Sequence, residues 1–226
     1  MKEYSFFNNK SQEWWHLWNS SACGNTARDK SAQTRAKILM AAFDEIYHSG
    51  FQAASLNKIL HNTETTKGAL YHHFKNKMEL GYAVVDEVIR DLIHNTWVIP
   101  LNQTDDPITT ISQFMQQSIP LMNEHDIRQG CPLNNLSQEM SPIDEGFRQR
   151  ILVVYQEWEQ AVVNAFERGK LAGHVKPEVH SQQIGLLFIA LMNGSLGYAK
   201  TTQDLATLAQ CGEGYIQQLE LLRPHP

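Results

Sequence analysis

Thr65-Thr66-Lys67-Gly68-Ala69-Leu70-Tyr71-His72-His73-Phe74 is the stretch that decides how the chain folds. Its threonines suit a helix start, where a side-chain oxygen can accept a free backbone N–H. Lys67 falls in the first turn, where a cation opposes the helix dipole, so its placement points to a use outside the helix. Ala69, Leu70 and Phe74 supply a narrow apolar seam, and Tyr71, His72 and His73 crowd the far end. A helix of about two to three turns does not stand alone in water. Neighbours must brace it, which leaves a polar side for a partner. The pattern fits a DNA recognition helix; taken alone it also fits a small surface helix with a satisfied His-His pair.

The flanks favour the recognition helix. Between Ala32 and His48, apolar residues fall at Ile38, Leu39, Ala42, Phe43, Ile46 and Tyr47, the spacing of one helical face. Ser49-Gly50 stops that helix, with Gly50 as a left-handed cap and Phe51 folding back behind it. Ser55 caps a second short helix, Leu56 to Asn62, with Leu56, Ile59 and Leu60 inward. Thr63-Glu64-Thr65 links it to the next, and Asn76 caps a fourth that begins Lys77-Met78-Glu79-Leu80. Two short helices joined by a tight turn, held between two longer ones, make a helix-turn-helix.

From about Ser31 to Val88 the chain resembles the tetracycline-repressor (TetR/AcrR) family of one-component transcription regulators. The most specific part runs from Thr66 to Leu80, supported by the Gly50-Phe51 turn and by Ser55-Leu56. The resemblance implies an all-α fold of about nine to ten helices. An N-terminal three-helix DNA-binding domain (31–78) would precede a larger helical effector-binding and dimerisation domain (79–226). It also implies a homodimer that grips two half-sites of a near-palindromic double-stranded operator, and repression rather than activation. Roles carry over residue by residue. Ser55, at the start of the second helix, faces a phosphate; Thr65, Thr66 and Lys67 lead the third helix into the major groove. Gly68 permits close backbone approach, Tyr71 and His72 reach a phosphate or base, and Lys77 and Arg35 clamp phosphates. His73 is equally well placed to pack beside Phe74. One residue departs from the pattern: the family usually has Gly where Glu64 stands, and a left-handed Glu would cost about 1 kcal/mol. Its charge near DNA keeps open a second reading, a helical binding module with impaired operator binding.

The 226 residues carry a net charge of −5, which by itself argues against a nucleic-acid binder. The distribution reverses that: Lys30–Leu80 holds seven Lys/Arg against four Asp/Glu, and Gly81 onward holds nine against seventeen. A mildly basic front on an acidic remainder suits a molecule that meets DNA at one end. Three cysteines, odd in number and far apart, suggest reduced thiols in a cytoplasm. No apolar run is long enough to span a membrane, and the first residues lack the order of a secretory leader. Residues 1–30, with Trp14, Trp15 and Trp18, are unlike the family. They read as a disordered extension or as an aromatic arm packed on the body or DNA.

Beyond Lys77 the pattern is helical throughout. The fourth helix, with Leu80, Val84, Val88 and Leu92 at four-residue spacing, is expected to end at Pro100. Asp106-Pro107 starts a helix, Pro142-Ile143-Asp144 opens a long one to about Leu171, Val179 to Tyr198 forms another, and Asp204 to Leu222 the last. Phe114, Met115, Met122, Cys131, Asn134, Tyr155, Trp158 and Met192 are candidates to line a site for a small apolar effector with one or two polar handles, though the same residues suit an ordinary core. The near all-round apolar helix suggests a face for a second copy at Gly185, Phe188, Leu191, Met192 and Ser195. Gly130-Cys131-x-x-x-Asn135-Leu136 is similar to segments of one TetR branch that includes thiol sensors, which makes Cys131 an alternative oxidant or electrophile sensor. No nucleophile elbow, phosphate loop or His-Glu-x-x-His occurs, and adjacent His72 and His73 cannot share a metal from one helical face. No enzyme, cofactor or metal is expected.

Overall fold

The computed structural model describes residues 27–224, and all regular structure among them is helical. α1 (Ala27–Ser49), α2 (Leu56–Thr63) and α3 (Lys67–His73) come first. α4 occupies 77–102 and contains two π stretches, Val84–Ile89 and His94–Val98. α5 (Pro107–Ser118), α6 (Glu124–Gln129), α7 (Pro132–Met140), α8 (Glu145–Leu171), α9 (Ser181–Thr202) and α10 (Leu205–Glu220) follow. The tryptophan-bearing arm lies outside the described residues.

Two compact units share the chain. One comprises residues up to Leu92 together with Pro132–Ile151; the other comprises Ile93–Cys131 and Leu152 onward. The division falls inside α4, and it assigns α7 and the start of α8 to the unit that carries the helix-turn-helix. Packing explains this. The fully buried Phe147 ring of α8 meets Phe51 edge-on at 4.6 Å and Tyr82 at 5.0 Å. Gly81 has no side chain because a Cβ there would collide with the rings of Phe51 and Phe147.

Within the first unit the expected face of α1 is buried: Ile38, Leu39, Ala42, Phe43, Ile46 and Tyr47 all lie in the core. α1 ends at Gly50, whose φ of 78° is the left-handed cap the sequence suggested, with its N–H donating to the Ile46 carbonyl at 2.8 Å. Phe51 is buried immediately after it. α2, α3 and α4 begin at their expected caps: Ser55, Thr66 and Asn76 accept from backbone N–H groups of Lys58, Ala69 and Glu79.

The second unit is built around aromatic packing. Trp97 of α4 lies 4.3 Å from Phe114, 5.0 Å from Phe188 and 5.9 Å from Trp158. Asp106 caps α5 as expected, accepting from the Thr109 N–H at 3.0 Å, and Arg223 reaches both of its oxygens at 3.2 Å. Burial alone would raise the Asp106 carboxyl, but the Thr109 N–H and hydroxyl and the Arg223 guanidinium outweigh it and hold the group below its ordinary range.

Several helix boundaries differ from expectation. α4 runs through Pro100 to Asn102, because the π turn before it has already moved the carbonyls out of the i−4 register that a proline ring would strike. α8 starts at Glu145, with Asp144 as the acceptor for the Phe147 N–H at 2.7 Å. α9 starts at Ser181 and continues to Thr202.

Candidate nucleic-acid interface

The head is braced from within. Glu45 is buried although charged, and it sits inside the apolar stripe of α1. Its Oε1 accepts the Ser55 N–H at 3.0 Å, and Lys58 Nζ lies 3.5 Å away. This fixes where α2 begins and leaves its first N–H groups at the surface, a favourable place for a phosphate. A carboxylate in the middle of an apolar stripe was the available sequence signal for Glu45, and the sequence reading missed it.

The turn between α2 and α3 is a Schellman motif. Thr65 N–H donates to the Leu60 carbonyl at 3.2 Å and Glu64 N–H to the His61 carbonyl at 3.4 Å, with Glu64 left-handed at φ 55° and ψ 30°. Here the chain adopts the conformation for which the family's Gly is suited. Replacing Glu64 with Gly should therefore raise stability by about 0.5–1 kcal/mol, the relieved Cβ strain outweighing the looser unfolded chain. An unchanged or lowered denaturation midpoint would show that the strain is not there.

The Thr65 hydroxyl is engaged within the turn. It lies 2.6 Å from the Thr63 hydroxyl, whose own proton is directed to the Ile59 carbonyl at 2.9 Å, so Thr65 is the donor of the pair. It braces the turn. Thr66 is exposed, but its oxygen caps α3 by accepting the Ala69 N–H at 3.1 Å. Lys67, Gly68 and His72 are exposed, and Tyr71 keeps half of its surface. A depression of about 160 Å³ brings Ser55, Asn57, Lys67 and Tyr71 together over Leu60 and Leu70. Asn57 was not singled out from sequence.

Arg35 and Lys77 are engaged inside the protein. Arg35 forms a bidentate pair with Glu87 at 2.6 and 2.5 Å and lies over the Phe74 ring at 5.1 Å. The Glu87 hydrogen bond raises its already high pKa. Arg35 is thus a strut between α1 and α4. Lys77 Nζ donates to the Gln52 carbonyl at 2.9 Å and sits 5.0 Å above the Phe51 ring; two of its three protons remain for another acceptor. His73 is partly covered. Its pKa is lowered by burial first, then by repulsion from His72 and Arg35.

The effector candidates divide between the units. Phe114 and Trp158 belong to the aromatic cluster, Met115 and Cys131 are buried, and Met122 and Met192 are partly covered. Tyr155 accepts from Asn193 Nδ2 at 3.2 Å. Asn134 lies in the first unit with α7, away from this grouping in the chain's division. Trp158 Nε1 and Asn193 Oδ1 are two of five buried side-chain polar atoms of the second unit without a hydrogen-bond partner among the described residues, the others being on Ser112, Asp126 and Ser181. Of the residues expected to face a second copy, Phe188 is fully buried against Trp97 and Trp158, and Gly185 is packed on Val163 and Glu159. Leu191, Met192 and Ser195 are intermediate. The face that α9 exposes carries instead Leu186, Leu187, Ala190, Gly194 and Tyr198.

These features define a helix-turn-helix regulator with a second helical unit. The comparisons agree. Residues 38–84 match the family model described as bacterial regulatory proteins, tetR family, and residues 107–214 match the LmrA/YxaF-like transcriptional regulator C-terminal domain. An uncharacterised HTH-type regulator from the lacX 3′ region of Lactococcus lactis subsp. lactis is 29% identical over 177 residues, 77% of this chain and 87% of that one. The HTH-type transcriptional repressor DhaR of Mycobacterium sp. (strain GP1) is 22% identical, over 71% of this chain and 79% of its own. A TetR-family regulator from Cytophaga hutchinsonii superposes with a TM-score of 0.74 at 20% identity, covering 87% of this chain and 98% of that one. The chain belongs to the TetR family, which is made up of transcriptional regulators rather than enzymes. No helix among the described residues is long and apolar enough to cross a membrane.

Proposed function

We propose that this protein is a repressor that binds a near-palindromic operator as a homodimer and leaves it when a small molecule occupies the second unit. The observation that carries the reading is the braced display of Lys67 and Tyr71 beside the start of α2, around one depression. Lys67 and the α2 N–H groups suit phosphates, while Tyr71 and His72 are long enough to reach base edges. One such head reads few base pairs, so two copies are needed for specificity. The exposed apolar stripe of α9 supports pairing: Leu187 is 62% exposed and Tyr198 61%, and a Cβ at Gly194 or Gly197 would meet nothing. The name of the repressor DhaR favours repression. An effector that is mostly apolar, with an acceptor for the Trp158 N–H and a donor for the Asn193 carbonyl, would satisfy those two orphaned atoms.

A mobility-shift titration with duplexes from the flanks of the protein's own gene tests the reading. Sequence-selective binding that weakens steeply with salt is expected, and a duplex with one half-site should bind far more weakly than the intact site. Equal binding to unrelated duplexes would remove operator recognition. The burial of Cys131, only 6% exposed, gives no support to a thiol-sensing alternative.

A further inference from the structure

α7 grips the reading head through a single carboxylate. Glu139, in its last turn, accepts the Phe51 N–H on Oε2 and the Gln52 N–H on Oε1, each at 2.8 Å. These two donors follow the left-handed Gly50, where successive N–H groups converge into a concavity that favours an anion. The fit is close: a Cβ on Gly50 would lie 3.0–3.3 Å from the Glu139 carboxylate. Lys77 holds the next peptide through the Gln52 carbonyl at 2.9 Å. The Phe51 side chain meets Phe147 at 4.6 Å, so residue 51 is held by backbone and ring alike.

The segment that supplies Glu139 and Phe147 has a second grip on the same unit. Tyr82 donates to Asp144 at 2.9 Å, and Arg150 pairs with Asp86 at 2.9 Å, both on α4. The segment is also joined by peptide bonds, at 131–132 and 151–152, to the residues of the second unit. The segment belongs wholly to the first unit, and its side chains hold both the turn after α1 and the first half of α4. The turn it holds, Gly50–Ala54, is the stretch that hands α1 over to α2 and so sets the direction of the helix-turn-helix.

Resting on the operator reading above, we infer that Glu139 is a positioning residue for operator recognition: it fixes the direction of the head, and with it the half-site separation that the dimer accepts. A carboxylate hydrogen-bonded to two backbone N–H groups is a strong, directional tether, and its loss frees the turn without removing any group that touches DNA.

The test uses the full chain. The wild-type protein selects duplexes from a random pool, and the selected site is remade with its half-sites moved apart or together by about one and two base pairs, each step about 3.4 Å. The wild type should bind the selected spacing at least about ten-fold better than the two-step variants. Glu139→Ala should bind the selected spacing about ten-fold more weakly and lose most of that preference. Glu139→Gln keeps one acceptor oxygen but sets an NH₂ against the other backbone donor, so it should fall between them; it also serves if the alanine variant does not fold. A uniform loss of affinity with the spacing preference intact in both variants would mean Glu139 only stabilises the fold, and overturns the inference. Wild-type behaviour of both variants overturns it too. If the wild-type protein selects no duplex, the operator reading itself falls and takes this inference with it.

Discussion

Gly68→Leu should abolish operator binding while leaving the protein at least as stable as before. Apart from its chain neighbours and its own helix backbone, a Cβ built at position 68 meets just Thr66 Oγ1 within 4 Å among the described residues, at 3.8 Å, so the folded protein has room for a side chain there. Leu is also the better helix former, by up to about 1 kcal/mol. The space is open because it is the outer face of α3, and in the proposed complex the DNA backbone or groove wall occupies it. A leucine would hold the two surfaces apart and should cost about a hundred-fold or more in affinity, ~3 kcal/mol. The two readouts move in opposite directions, which separates this outcome from ordinary misfolding. A variant that melts no lower than wild type and still shifts the operator with unchanged affinity would show that α3 does not enter a groove.

Phe147→Ala should be the most damaging single core substitution near the head. The ring is fully buried and contacts both Phe51 and Tyr82 edge-on, while Gly81 leaves just enough room for it. Truncation removes the transfer energy of the ring and leaves a cavity that the rigid neighbours cannot close, about 3–5 kcal/mol. Urea or thermal denaturation of the purified variant checks the size of the loss. A cost below about 1 kcal/mol would mean that the site collapses readily, and that α8 contributes little to holding the turn at residue 51.

The helix-turn-helix was legible because its signals are local. Thr66, Asn76, Asp106 and Gly50 each act on N–H groups or carbonyls a few residues away, so their types and positions name the helix ends directly. Glu139 was not legible: it is 88 residues from Phe51, and only the fold brings them together. The same limit applies to Arg35, whose exposed-looking position on α1 conceals a partner 52 residues away. In α9 a nearly continuous apolar sequence carries no phase, so Phe188 and Leu187, neighbours in the chain, could not be told apart as core and surface. Phe114 and Trp158 were found because aromatic residues at helical spacing mark a core whatever its purpose.

The wide turns of α4 carry one further implication. A stretch hydrogen-bonded over five residues encloses one more residue than a stretch bonded over four. Removing a single amino acid from Val84–Ile89 therefore lets the helix close into ordinary turns with the downstream side chains kept on their original faces. Removing one from α1 would instead rotate every following residue by about 100° and turn the buried stripe outward. Within α4, the wide turns are the places where one residue can be lost while the following side chains of the helix keep their faces.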